Sequence, residues 1–145
     1  MSTPRTGYVI CWDMVDSTQA IQRDFASASQ YINVIAQKTA AAAPEHEATL
    51  LQSIGDGQLY WIPGDNREKE AVAFAKEILA IARRAKRDYP TRMIKVATAP
   101  GSLVESTMGL TGPVLWNIHT TMKRTPRSTL RLINVKSKQL EETYV

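Results

Sequence analysis

Cysteine and histidine are almost missing from this chain. It has one cysteine, Cys11, and two histidines, His46 and His119, in 145 residues. A single cysteine excludes an internal disulfide. Cys11 lies inside an apolar run, so it reads as a small core residue of a protein kept in a reducing, cytoplasmic compartment. His46 and His119 have no ligand spacing with each other or with Cys11. That excludes a zinc-type centre and leaves both as surface or core residues. No window of about 18 apolar residues exists, so a membrane span is not expected. The start, MSTPRTGYVI, lacks a long apolar stretch, which speaks against a secretory signal. Aromatics make up only 7% of the chain. The basic clusters (Arg83, Arg84, Lys86 and Arg87; Lys123, Arg124 and Arg127; Lys136 and Lys138) are not interleaved with them. The net charge of +4 therefore suits an anionic partner better than a dedicated nucleic-acid face. No internal repeat appears.

What is present is one domain's worth of alternating strand and helix signals. Tyr8–Asp13 is a continuous apolar run and reads as a buried strand. Asp16, Ser17 and Thr18 are candidate helix N-caps. From Thr18 to about Ala43, Ile21, Phe25, Ala28, Ile32, Ile35 and Thr39/Ala40 mark one face of a long helix, which Pro44 ends. Ala48–Ser53 and Gln58–Ile62 read as a hairpin around Gly55-Asp56-Gly57, because glycine supplies the positive φ of a tight turn. Asp65 and Glu68 have capping-box spacing. A second helix to about Arg87 follows, with Ala71, Phe74, Ala75, Ile78, Ile81, Ala82 and Ala85 on its buried face. Met93–Ala99 reads as a strand that Pro100-Gly101 breaks. Ser102–Leu115 reads as a loop or a β-arm, and Val114–Met122 as a short helix. Thr129–Val135 reads as a strand, and Ser137–Thr143 as a closing helix.

The order β-α-β-β-α-β is ferredoxin-like. It predicts an α+β fold: an antiparallel-rich sheet, two long helices on one face, and a C-terminal extension. In that order the first strand lies beside the β2–β3 turn, so Asp13 and Asp56 converge. Paired carboxylates repel unless a cation sits between them. Hard oxygen ligands without His or Cys favour Mg²⁺ or Mn²⁺. Taken singly, Asp56 is also an ordinary turn residue and Asp13 an ordinary helix-entry carboxylate. Trp12, Trp61 and Trp116 read as packing aromatics, with Trp12 placed to narrow the site beside Asp13.

CWDMVDST resembles the F-x-D-I-x-G-S/F-T segment of class III nucleotidyl cyclase catalytic domains, and SIGDGQLYW resembles their K-x-I-G-D-x hairpin. MIKVATAPG is similar to their later strand R-I-G-I-H-T-G, and GPVLWNIHTTMK to their G-D-x-V-N-x-A-x-R helix. The resemblance spans roughly Tyr8 to Leu140. It implies that Asp13, Asp56 and the Met14 carbonyl hold two Mg²⁺ or Mn²⁺ ions. It implies that the backbone of Val15, Asp16, Ser17 and Thr18 meets a triphosphate at a helix N-terminus, and that Asn117 orients the ribose. Gln52 stands where the family reads the base with Lys, and Leu110 or Thr111 lies near the second base-reading position. The family's transition-state Arg falls on Thr121, which leaves Lys123 or Arg124 to supply the charge. Asp16 stands where the family has Gly.

The implied reaction joins the 3′-hydroxyl of a nucleoside triphosphate to its own α-phosphorus and expels pyrophosphate, by two-metal in-line displacement. The implied assembly is a homodimer with shared sites. Two other readings stay open: a degenerate cyclase-homology domain that binds a nucleotide or a protein, and a palm-type cyclic dinucleotide synthase. Base preference, purine or pyrimidine, is not legible.

Overall fold

The computed structural model describes residues 3–15, 17–106, 109–112, 115, 118, 129–133 and 139–143. Expectations that fall on Asp16, Trp116, Asn117, His119, Thr121, Lys123 and Arg124 lie outside the described residues.

The chain is α+β. Its strands are β1 (Arg5–Met14), β2 (Thr49–Ile54), β3 (Gly57–Pro63), β4 (Ile94–Ser106), β5 (Gly109–Thr111), β6 (Thr129–Ile133) and β7 (Gln139–Thr143). Its helices are α1 (Ser17–Arg23), α2 (Phe25–Ala42) and α3 (Glu68–Ala85), with a 3-10 turn at Ala43–His46. The sheet runs β2-β3-β1-β4-β6-β7, with β5 paired to β4. The first four strands in that order are antiparallel neighbours, and β4 pairs with β6 in parallel. This is the ferredoxin-like order with added strands.

Alternation along β1 divides the interior in two. Tyr8, Ile10, Trp12 and Met14 face the helices, where they meet Tyr31, Ile35, Phe74 and Ile78. Val9 and Cys11 face the other way, towards Leu59, Trp61, Ala97, Leu103 and Ile118. Cys11 is thus a core residue, as its apolar setting predicts, and Trp12 is fully buried. The Trp12 indole N–H donates to Gln58 Oε1 at 3.1 Å, on the helix side of the sheet. Trp12 therefore does not narrow the Asp13 side, contrary to expectation.

Helix α3 buries all seven residues expected from its periodicity, and Leu79 besides. Elsewhere the sequence pattern is overridden in identifiable ways. The expected single helix over 18–43 is two helices. Asp24 has φ −152 and ψ 80, outside the helical region, and its carboxylate accepts the Ser27 N–H at 3.1 Å. That N-cap restarts the chain in a new direction. The buried face of α2 is consequently Ala28, Tyr31, Ile35 and Thr39, while Phe25 is 66% exposed and Ile21 37%.

Asp65 does not cap α3. It accepts the Thr6 hydroxyl, and Arg67 holds the N-cap position without a side-chain bond. Pro100-Gly101 does not stop β4. β6 pairs only with Val96–Thr98, so among the described residues the missing Pro100 N–H faces no ladder partner on that side. Ser102 and Leu103 still pair with β1, and residues 104–106 form a β-arm with β5. The expected closing helix is instead β7, whose Gln139–Thr143 pair antiparallel with β6; sheet pairing prevails over local helix propensity.

His46 joins the 3-10 turn to α3. Its Nδ1 lies 2.7 Å from Glu70 Oε1 and its Nε2 lies 2.6 Å from Glu77 Oε2. This clamp fixes the start of the β2–β3 hairpin against the helix layer.

The corrected face of α2 carries a test. Phe25→Ser is expected to change stability by less than about 0.5 kcal/mol, as for surface sites, whereas Tyr31→Ala costs about 3–5 kcal/mol. Urea unfolding of the two variants checks this. Equal losses would restore the single-helix reading.

Candidate active site

The hairpin turn reaches the end of β1 because two glycines let it. Gly55 has φ +52, a conformation costly for other residues. Gly57 sits opposite Asp13 in the β1–β3 ladder. A Cβ on Gly57 would lie 2.0 Å from the Trp12 carbonyl oxygen and 2.9 Å from Asp13 Cβ. Only hydrogen fits there. The Met14 N–H then donates to the Asp56 carbonyl at 3.0 Å, tying the turn to the strand. The turn residue Asp56 is thereby tied by its main chain to the end of β1, next to Asp13, although the two are far apart in sequence.

Asp13 lies on the sheet face away from α1, α2 and α3, in line with Val9 and Cys11. It is half-buried, and its Oδ1 is buried without a hydrogen-bond partner. Burial pushes its carboxyl up to about 7. The charge of Lys95 opposes that shift, and the charge of Asp56 adds to it. Cys11 Sγ is pushed up as well, by burial first and then by the two aspartates.

An orphaned, partly buried carboxylate oxygen beside a second carboxylate fits a divalent cation. Among the described residues no group of three His, Cys, Asp or Glu side chains is present. Further ligands would be main-chain carbonyls, water or phosphate, which is how Mg²⁺ is commonly held.

The other candidate residues are distributed unevenly. Met14 packs its side chain into the helix-side core. The Val15 N–H already donates to the Met93 carbonyl at 2.9 Å, so it is not free for a phosphate. Ser17 and Thr18 open α1. Gln52 is exposed and paired with Leu59 after a register shift that leaves Leu51 over. This bulge sets Gln52 on the same sheet face as Cys11 and Asp13. Leu110 and Thr111 lie in β5 and pair with Glu105 and Val104, at the far end of β4 from Lys95. Within one chain the ladder does not bring them to the Asp13 rung.

Sequence reasoning missed Lys95. It is the β4 partner of Asp13, directly opposite it. The signal was available, since strand β4 must flank β1 in the ferredoxin-like order, and Lys95 is the cation at its start.

The raised Asp13 carboxyl predicts a pH dependence for the metal-free protein. The unfolded chain releases this proton near pH 4 and the folded chain near 7, so stability falls as pH rises between those values. Asp13→Asn removes the penalty. In the presence of a chelator its Tm should approach that of the wild type near pH 4. Near pH 8 it should exceed the wild type by on the order of 5 °C. Thermal melts across this range decide; a gain independent of pH would contradict the assignment.

No protein-family model matches the sequence, and no curated protein is similar to it by sequence. Solved structures are similar in fold. The guanylyl cyclase domain of the RhoGC fusion protein from the aquatic fungus Blastocladiella emersonii aligns with a TM-score of 0.80 at 14% identity. The alignment covers 94% of this chain and 84% of that one. The guanylate cyclase domain of RhGC from Catenaria anguillulae, in complex with GTP, aligns at 0.78 and 16% identity, covering 92% and 79%. The adenylyl cyclase CyaB from P. aeruginosa aligns at 0.73 and 11% identity, covering 92% and 79%. The chain has the fold of the class III adenylate/guanylate cyclase catalytic domain.

Proposed function

We propose that the protein is a nucleotidyl cyclase, which converts a nucleoside triphosphate to a 3′,5′-cyclic mononucleotide and pyrophosphate. One observation carries the reading. Within a cyclase fold, the Asp56 main chain is bonded to the end of β1 that carries Asp13, and Asp13 Oδ1 is buried without a donor.

Asp13 and Asp56, with the Met14 carbonyl, would hold Mg²⁺ or Mn²⁺. When bound, such ions supply charge neutralisation at the phosphates and activate the attacking hydroxyl. The work of the chain itself is positional. The β1–β3 ladder fixes Asp13, and the Asp56 carbonyl bond to Met14 keeps the turn from drifting. The helix layer excludes water from the far side of the sheet through Trp12, Tyr60 and Phe74. Phosphate oxygens would approach from the open side, the sheet face that carries Asp13.

Gln52 and the residues of the Asn117, Lys123 and Arg124 segment are proposed to read the base and ribose and to offset charge on the α-phosphoryl group. In a two-fold homodimer they would come from the partner subunit. Among the described residues no helix is long and apolar enough to cross a membrane. The buried free thiol of Cys11 suits the reducing cytoplasm proposed for the protein. A specific observation keeps the degenerate-domain reading alive: Val15, at the triphosphate loop, spends its N–H within the fold.

Incubating the protein with each of the four ribonucleoside triphosphates and Mn²⁺ tests the proposal by product mass. A cyclic mononucleotide is expected from at least one of them, falling at least a hundredfold with Asp13→Ala or Asp56→Ala. No product from any triphosphate favours the binding module. A cyclic dinucleotide mass favours the synthase.

A further inference from the structure

The carboxylate pair has a resident cation. Lys95 faces Asp13 across the β1–β4 ladder, one strand over from the β3 side that brings Asp56. Residues directly opposite in an antiparallel ladder project to the same face. Lys95 is half-buried, so its stem is held along the sheet rather than free in solvent. No salt bridge within 4 Å joins it to Asp13, and Asp13 Oδ1 stays without a donor. The ladder fixes the two residues as direct cross-strand neighbours, so the ammonium shares the sheet face of the Asp13 carboxylate.

We propose that Lys95 sets the divalent-cation affinity of the Asp13–Asp56 site, acting as a positioning charge that weakens ion binding. Two carboxylates and one ammonium sum to one negative charge, against two for the carboxylates alone, so Lys95 lowers the attraction for a divalent ion. A unit positive charge several ångströms from a divalent ion, in the polar edge of a protein, weakens binding by roughly tenfold to a hundredfold. The bland account is a cross-strand pair that only helps fix register. It predicts an effect on stability alone.

This inference rests on the cation-binding reading of Asp13 and Asp56, and the test separates the two. Free Mn²⁺ is titrated into the metal-free protein and followed by electron paramagnetic resonance, with no nucleotide present. Wild type should bind Mn²⁺. Lys95→Gln should bind Mn²⁺ at least about tenfold more tightly, while Lys95→Arg stays at the wild-type value. Lys95→Met, which keeps the apolar stem, stands in if the Gln variant does not fold. Wild-type protein that binds no Mn²⁺ removes the cation-binding reading itself. Wild-type protein that binds Mn²⁺, with Lys95→Gln and Lys95→Met equal to it or weaker, overturns the Lys95 proposal and leaves that reading standing.

Discussion

The close approach of β3 to β1 at Gly57 is the contact on which the site depends. The backbone there leaves no room for a Cβ, and the neighbouring turn is fastened by the bond between the Met14 N–H and the Asp56 carbonyl. Main-chain hydrogen bonding thus fixes the turn that carries Asp56 against the end of the strand that carries Asp13. The cost falls on Asp13, whose carboxyl burial and the Asp56 charge disfavour the ionised form. Asp13 Oδ1 is one of several buried polar atoms without a partner among the described residues, and the only one of them on a carboxylate.

The rest of the fold serves that contact. Trp12 and Met14 alternate with Asp13 along β1, so the strand that presents the carboxylate is anchored by its neighbours in the helix-side core. Gln58 Oε1 accepts from both the Trp12 indole and the Tyr60 hydroxyl, locking β1 to β3 one residue from the site. The His46 clamp to Glu70 and Glu77 fixes the entry of the hairpin on the opposite flank. The hairpin is therefore held at both ends, while its tip carries Asp56.

Much of this was legible in the sequence where a residue's role is set by local chemistry. The glycines of the hairpin, the apolar run of β1 and the strict periodicity of α3 each admit one structural solution, and the order of elements then placed Asp13 beside Asp56. The misreadings arose where a tertiary contact decides between two local options. Asp24 is an ordinary polar residue within a helical pattern until its carboxylate turns to Ser27. Phe25 looks like a core residue by spacing and is left outside by that break. Pro100 stops a strand only if its N–H side is paired. Gln139–Thr143 has helix-like composition, and β6 makes it a strand. Lys95 was overlooked because its importance comes from register across two strands, which no single segment reveals.

The fold is that of adenylate and guanylate cyclase catalytic domains, although no family model matches the sequence. The proposed function puts a divalent ion at the junction of β1 and the β2–β3 turn. Anomalous diffraction from crystals soaked in Mn²⁺ measures that directly. The account predicts a peak within ligand distance of both the Asp13 and Asp56 carboxylates. Mn²⁺ bound elsewhere, with those two carboxylates left free of it, would contradict it.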